Sequence, residues 1–181
     1  MSPDTLNPLL GIGTLAMQIA TAGLLVAFLL RKRYPYFDQA IEPVGRWGLW
    51  IGLILAFVAS ALTLIYSEVF GIPPCPLCWW QRIFMYPQIV LFALALYLRE
   101  RTVALYSIAL SILGAGVALY HHALQIAPPG TLPCPAEGEV SCSQVFLFEL
   151  GYITYPLMAF TAFAFLIVVM LIVRSDARRG F

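Results

Sequence analysis

Charged residues are scarce in this chain. Only 10% of its 181 residues are charged, whereas about a quarter are charged in soluble domains, and 61% are hydrophobic. This composition excludes an ordinary soluble domain. The net charge of +1 gives no support to nucleic-acid binding, which needs a clustered basic face. No internal repeat is present, and no histidine lies deep enough in an apolar run to serve as an axial haem ligand.

Five apolar runs are long enough to cross a bilayer, which takes about 20 mostly apolar residues. They cover residues 8–30, 47–67, 81–98, 102–125 and 152–173. The third run is the shortest. The runs predict an all-α integral membrane protein, a four-helix transmembrane bundle with one extra N-terminal transmembrane helix. We divide the chain into an extra helix with a cytoplasmic loop, a four-helix domain and a cytoplasmic tail, at residues 1–46, 47–175 and 176–181.

The basic residues predict the orientation. Residues 1–7 contain no Lys or Arg, which argues against a cleaved signal peptide and for a retained first helix. If the N-terminus lies outside and the C-terminus in the cytoplasm, nine of the ten basic residues are cytoplasmic, a strong positive-inside signal. The nine are Arg31, Lys32, Arg33, Arg46, Arg99, Arg101, Arg174, Arg178 and Arg179. All cysteines then lie on the extracytoplasmic face, where disulfides persist.

The chain has only four cysteines, in two local pairs. Cys75 and Cys78 form a Cys-x-x-Cys motif, which closes too small a loop to be an effective staple but suits reversible exchange. Cys134 and Cys142 form either a plain loop disulfide or a labile, exchanging one. Their seven-residue separation and the neighbouring prolines argue against a four-cysteine zinc site, so we expect no metal. Together the pairs indicate a relay that moves electrons between thiols and the bilayer.

Arg82 is the one basic residue on the other side of the predicted topology. If the third helix begins at Gln81, Arg82 lies one helical turn inward from Cys78. It is either a snorkelling anchor or a functional cation, because a guanidinium can stabilise a thiolate and donate to a quinone oxygen. His121 and His122 end the fourth run; adjacent helical positions point about 100° apart, so at most one should face the same cavity.

The connection at residues 31–46 contains Pro35 and Pro43 and is expected to be a cytoplasmic loop. The outer segment at residues 127–151 carries Cys134 and Cys142. Apolar residues near its end predict one or two helical turns on the membrane surface; they are Val145, Phe146, Phe148 and Leu150.

Several motifs resemble those of the disulfide bond formation protein B family (DsbB) and its Gram-positive-type relatives (BdbC). They are Cys75-Pro76-Leu77-Cys78-Trp79-Trp80-Gln81-Arg82 with the following Ile83-Phe84-Met85-Tyr86-Pro87, then Tyr120-His121-His122, Cys142-Ser143, and Gly151-Tyr152-Ile153-Thr154-Tyr155-Pro156. The similarity covers about residues 47–174. It implies a four-helix bundle in the bacterial cytoplasmic (inner) membrane. Such a protein reoxidises a thioredoxin-like extracytoplasmic oxidase of the DsbA or BdbD type and reduces a membrane quinone, ubiquinone or menaquinone.

The resemblance also implies residue roles. Cys78 would face the quinone, and Arg82 would support both Cys78 and the quinone. Cys75 would exchange with the loop pair through Cys142, and Cys134 would form the mixed disulfide with the partner oxidase. His122 matches the family's outer-helix histidine better than His121 does. The extra first helix departs from the pattern. Two alternatives stay open: a quinone reductase of the vitamin K epoxide reductase type, and a non-enzymatic membrane thiol sensor or scaffold.

Overall fold

The computed structural model describes residues 3–128, 131–134 and 141–177. Over these residues the chain is all-α, and five helices are long and apolar enough to cross a membrane, which confirms the predicted number of spans. The helices are α1 (Pro3–Leu30), α2 (Pro35–Leu64), α3 (Pro76–Leu98), α4 (Val103–Ile126) and α5 (Tyr155–Ala177). A π-helical turn, Ile65–Val69, continues α2.

The prediction of a cytoplasmic loop at residues 31–46 was wrong for most of that segment. Helix α2 begins at Pro35, so that residues 31–34 alone connect it to α1. Pro35 occupies the first turn, where a proline needs no N–H partner. Ile41 then packs against Ala27 of α1 and against α5, which stabilises this extension of the helix. The predicted boundary between residues 46 and 47 therefore falls inside a helix.

Helix α3 begins at Pro76 rather than at Gln81. Cys75 precedes it with an extended backbone, and Pro76 takes the first helical position, which its fixed φ favours. As a result, Cys78 lies within the first helical turn. The helix ends at Leu98, because the following Arg99 has a left-handed backbone.

Helix α5 lies at the centre of the bundle and packs against α4, α2 and α1, while α1 packs on the outside against α5 and α2. Two aromatic rings fill the core where a glycine faces them. A Cβ added at Gly52 would lie 2.8 Å from the Phe92 ring, and one at Gly114 would lie 2.4 Å from the Phe163 ring. Both rings are fully buried, so these glycines allow the close approach of the helices.

Apart from Arg82, the basic residues of the described chain belong to the ends of helices and their connections at one end of the bundle. There Arg101 forms an ion pair with Asp176 at 2.6 Å, and Arg31 donates a hydrogen bond to Ser175. Arg178 and Arg179, and with them most of the predicted tail at residues 176–181, lie outside the described residues. Cys75 and Cys142 lie at the opposite end of the bundle, beside the C-terminal end of α4.

The outer segment between α4 and α5 forms no surface helix in its described part, so that expectation was wrong. Glu149 and Ile153 instead pair as an isolated antiparallel bridge, with hydrogen bonds of 2.9 and 2.8 Å. Leu150 and Gly151 have positive φ values and turn the chain back between them. Because Leu147 and Ile153 are buried, the segment packs into the end of the bundle.

Candidate functional site

The start of α3 brings Cys75 and Cys78 together. Their sulfur atoms are 3.1 Å apart, because the backbone N–H of Cys78 donates to the carbonyl of Cys75 and closes the first turn. Cys75 is buried and Cys78 is half-buried. The two thiols are therefore positioned to form and break a local disulfide.

Cys142 joins the two cysteine pairs. It is fully buried and packs in one cluster with Cys75, Leu77 and Leu124. The backbone N–H of Leu77 donates to its sulfur, and its thiol is hydrogen-bonded with that of Cys134. Cys134 is exposed. Contacts therefore link the thiols in the order Cys134, Cys142, Cys75 and Cys78.

The environment keeps two of these thiols neutral. A hydrogen bond with Cys78, and after it burial, raises the pKa of Cys75 to about 12. Burial, and after it the hydrogen bond with Cys134, raises the pKa of Cys142 to about 12. Because the thiolate is the nucleophile in disulfide exchange, attack by either sulfur requires a group that stabilises the thiolate.

His121 is placed to provide that stabilisation. Its Nε2 atom lies 3.6 Å from the sulfur of Cys75 and 3.2 Å from the carbonyl oxygen of Cys142. Its Nδ1 atom lies 2.9 Å from Nε2 of Gln81. With the Gln81 amide donating to Nδ1, the ring carries its hydrogen on Nε2 and can donate it to a Cys75 thiolate. The pKa of Cys75 is raised overall, but the hydrogen bond with His121 opposes this rise, because it favours the thiolate.

His122 points elsewhere, as expected for its neighbour on a helix. Its Nδ1 atom lies 2.8 Å from the hydroxyl oxygen of Thr154, just before α5. Of the two histidines, only His121 lines the cavity described below. The assignment of His122 to a quinone, which came from the resemblance, therefore stays a prediction.

Arg82 is buried at the inner side of the dithiol. Its Nη2 atom donates to the carbonyl of Thr63 at 2.9 Å, and its guanidinium carbon lies 5.0 Å from the ring centre of Trp79. Within the described residues the only ion pair is Arg101 with Asp176, so Arg82 has no carboxylate partner there. Thr63 precedes the π-helical turn, a feature that frequently marks functional sites.

A cavity of about 370 Å³ extends from these residues into the bundle. Polar groups line its end beside the start of α3, among them Cys75, Cys78, Gln81, Arg82 and His121. Its inner part is apolar, with Leu55, Leu62, Met85, Ala162 and Phe163 among the lining residues. Such a cavity fits a lipid-soluble molecule with a polar, hydrogen-bond-accepting head. The unpaired donors of Arg82 fit the carbonyl oxygen of a quinone.

Three of these residues could also bind a metal ion. The ligand atoms of Cys75, Cys78 and His121 lie within 4.8 Å of one another, a spacing that a metal ion could also use. The prediction that these cysteines serve exchange and not zinc binding remains a prediction.

Two thiol pairs that meet at the end of a bundle of spanning helices define a class, the membrane proteins of thiol–disulfide exchange. The comparison with known families agrees with this class. The family described as "Disulfide bond formation protein DsbB" matches residues 45–173, and the chain belongs to that family. It is a multi-pass membrane protein of disulfide bond formation.

Individual relatives carry similar names. The chain is 36% identical over 126 residues to the "Probable disulfide formation protein C" of Halalkalibacterium halodurans, which covers 70% of this chain and 90% of the relative. It is 32% identical over 130 residues to the "Disulfide bond formation protein C" of Bacillus subtilis, covering 71% and 93%. It is 28% identical over 136 residues to the "Probable disulfide formation protein C 2" of Bacillus cereus, covering 75% and 96%. No solved structure matches the chain.

Sequence reasoning missed several polar residues that hold the site or the helices around it. Gln81 holds the ring of His121, and the carbonyl of Thr63 accepts from Arg82. Gln88 is fully buried, accepts a hydrogen bond from Ser107 at 2.6 Å and donates to Ser111 at 3.2 Å. An amide side chain inside an apolar run was the available signal for Gln81 and Gln88, since such groups need partners in a membrane.

Proposed function

We propose that the protein is a membrane thiol:quinone oxidoreductase. It reoxidises a thioredoxin-like extracytoplasmic disulfide oxidase and passes the electrons to a membrane quinone. The observation that carries the proposal is the continuous path from the exposed Cys134 through Cys142 and Cys75 to Cys78, which ends beside Arg82 at a largely apolar cavity.

The exchange steps follow from the order of the sulfurs. A partner thiolate attacks Cys134 of a Cys134–Cys142 disulfide, forms a mixed disulfide and frees Cys142. The partner's second thiolate then attacks its own sulfur in the mixed disulfide, so that the partner leaves as a disulfide and Cys134 is freed as a thiolate. The freed Cys142 attacks Cys75 of a Cys75–Cys78 disulfide, and Cys78 leaves as a thiolate. Cys134 then closes on Cys142 and releases Cys75, so that two electrons have moved to the inner pair.

The residues around Cys75 assist these steps. His121 donates from Nε2 to the Cys75 thiolate when that sulfur is released, and Gln81 holds the ring in this orientation. Arg82 supplies positive charge and hydrogen-bond donors at the dithiol end of the cavity. A bound quinone supplies the final acceptor: it takes two electrons and two protons and becomes the quinol while Cys75 and Cys78 return to the disulfide. The net reaction converts a partner dithiol and a quinone into a partner disulfide and a quinol.

The decisive experiment uses the purified full chain, a reduced thioredoxin-like oxidase and a soluble quinone analogue. We expect the quinone absorbance to bleach in proportion to partner oxidised. Cys78→Ser should abolish bleaching while the Cys134–Cys142 disulfide still forms. The Cys134→Ser/Cys142→Ser double variant should fail with the partner protein but still reduce quinone when a small dithiol reaches Cys75 directly.

The opposite outcome is also informative. If the parent protein bleaches no quinone with either reductant, the chain is a sensor or a scaffold. If the double variant oxidises the partner protein at the parent rate, the loop pair is only a staple.

A further inference from the structure

Helix α1 has no place in the four-helix pattern, yet it lines the cavity. We infer that α1 forms the fifth wall of this cavity and, with α2, frames a lateral portal through which the apolar tail of a quinone extends into the lipid. The inference deepens the proposed function and rests on it for the identity of the ligand.

One face of α1 points into the cavity. Leu10, Gly13, Thr14 and Met17 line it, and their spacing of three and four residues places them on one side of a helix. The hydroxyl of Thr14 donates to the carbonyl of Leu10 at 2.7 Å, so this wall offers the cavity no unpaired hydroxyl donor. The wall suits an isoprenoid chain rather than a second polar head.

Polar contacts near the N-terminal end and the middle of α1 fix its position. Tyr66 donates to the Asn7 side chain at 2.6 Å, and Tyr66 itself lines the cavity. Gln18 donates to Thr161 at 3.2 Å and accepts from Tyr152 at 2.8 Å. Interhelical hydrogen bonds of this kind hold helices in register within a membrane. Thus α1 is tied to α2, to α5 and to the segment before α5.

The exposed residues of the lining show where the cavity opens toward lipid. Leu9 and Gly13 of α1 and Val58 of α2 are exposed, although all three line the cavity within membrane-spanning segments. A Cβ placed on Gly13 would meet nothing within 4 Å. The gap between α1 and α2 at Gly13 is therefore an opening on the lipid side, whereas Ala162 and Phe163 close the far side.

This wall lies outside the part of the chain that resembles the family. The family match begins at residue 45, after α1. In a bundle without α1 this side of the cavity would face lipid along its whole length.

The test is equilibrium binding of quinone, measured by quenching of tryptophan fluorescence in the full chain without any reductant. Gly13→Phe should fill the portal, and Gly13→Leu is a smaller second variant. Gly23→Phe is the matched control, because Gly23 lies on the same helix, is exposed, meets nothing within 4 Å and does not line the cavity. Each protein is titrated with a long-tailed quinone and with its tailless head group.

We expect Gly13→Phe to weaken binding of the long-tailed quinone by about tenfold or more, the equivalent of two methylene groups left unburied. Binding of the tailless quinone should change by less than about threefold, and Gly23→Phe should match the parent with both ligands. Parent-like binding of the long-tailed quinone by both Gly13 variants, or equal weakening of both ligands, would overturn the portal. If the parent binds neither quinone, the proposed function fails as well.

Discussion

Arg82 is a buried cation inside a spanning helix, and such a group is costly unless it has partners or a function. One of its donors, on Nη2, meets the Thr63 carbonyl, and its guanidinium group lies near the ring of Trp79. We predict that Arg82→Met keeps the fold, since loss of the charge relieves desolvation. It should raise the apparent quinone KM by about 10- to 100-fold, the value of a charge-assisted hydrogen bond, and Arg82→Lys should recover only part.

The measurement is partner oxidation across a quinone titration. Parent-like rates of Arg82→Met at limiting quinone would show that Arg82 is only an anchor.

His121 and His122 form a matched pair of neighbours with different contacts. His121→Leu removes the donor beside Cys75, and we expect exchange between Cys142 and Cys75 to slow by about 10- to 100-fold. His122→Leu removes a contact with Thr154 and should leave that exchange near the parent rate. Stopped-flow exchange and the quinone KM are measured for both. A raised KM in His122→Leu alone would support the quinone role that the family resemblance gives His122, and normal exchange in His121→Leu would refute the donor role.

The rate at which the Cys142 thiol is alkylated should depend on pH as expected for a buried thiol. A raised pKa means that the neutral thiol is favoured, so the thiolate fraction is small at neutral pH and grows about tenfold per pH unit. In a variant with Cys142 as its only cysteine, burial, the largest cause, still raises the pKa, so we expect alkylation to keep accelerating at pH values where a free thiol has levelled off. A small free thiol, with a pKa near 8.5, serves as the control and should level off about there. A plateau for Cys142 below pH 9 would contradict the burial of its thiol.

At the scale of helices, the contact between α4 and α5 depends on Gly114. A Cβ there would lie 2.4 Å from the ring of Phe163, which is fully buried and cannot move aside freely. We predict that Gly114→Ala destabilises the bundle by about 1–3 kcal/mol, a usual cost of overpacking. Gly116→Ala is the control on the same helix, because a Cβ there meets nothing within 4 Å. Thermal unfolding in detergent should separate the two, and equal midpoints would show that the α4–α5 contact is loose.

The sequence predicted the five helices well because apolar length alone decides them. It predicted their ends less well. Pro35 and Pro76 look like helix breakers, yet each occupies a first turn, where proline is favoured. Pro43 lies inside α2, and burial of Ile41 helps to hold that part of the chain in a helix. Where these helices begin depends on packing between helices, which a local sequence pattern does not reveal.

At the scale of the whole molecule, the residue types of the site could be predicted from the sequence, but most of the contacts between them could not. The motifs identified the four cysteines and Arg82, because their chemistry is visible in the residue types. The contact of Cys142 with Cys75 came only from the family resemblance, and the hydrogen bond between Gln81 and His121 was not foreseen. Both join residues that are far apart in sequence, and so does the packing of α1 on the cavity. Such juxtapositions arise from the fold of the complete bundle.

The orientation of the bundle in the membrane is the last and broadest prediction. The basic end, with Arg31 and Arg101, should be cytoplasmic by the positive-inside rule, which places the cysteines outside. Two single-cysteine variants report the two ends: one retains only the exposed Cys134, and the other is cysteine-free except for Lys32→Cys at an exposed position. After mild reduction, a membrane-impermeant thiol reagent should label the first in intact cells and the second only after permeabilisation. The reverse pattern would place the dithiol in a reducing compartment, and it would overturn both the orientation and the proposed oxidation of an extracytoplasmic partner.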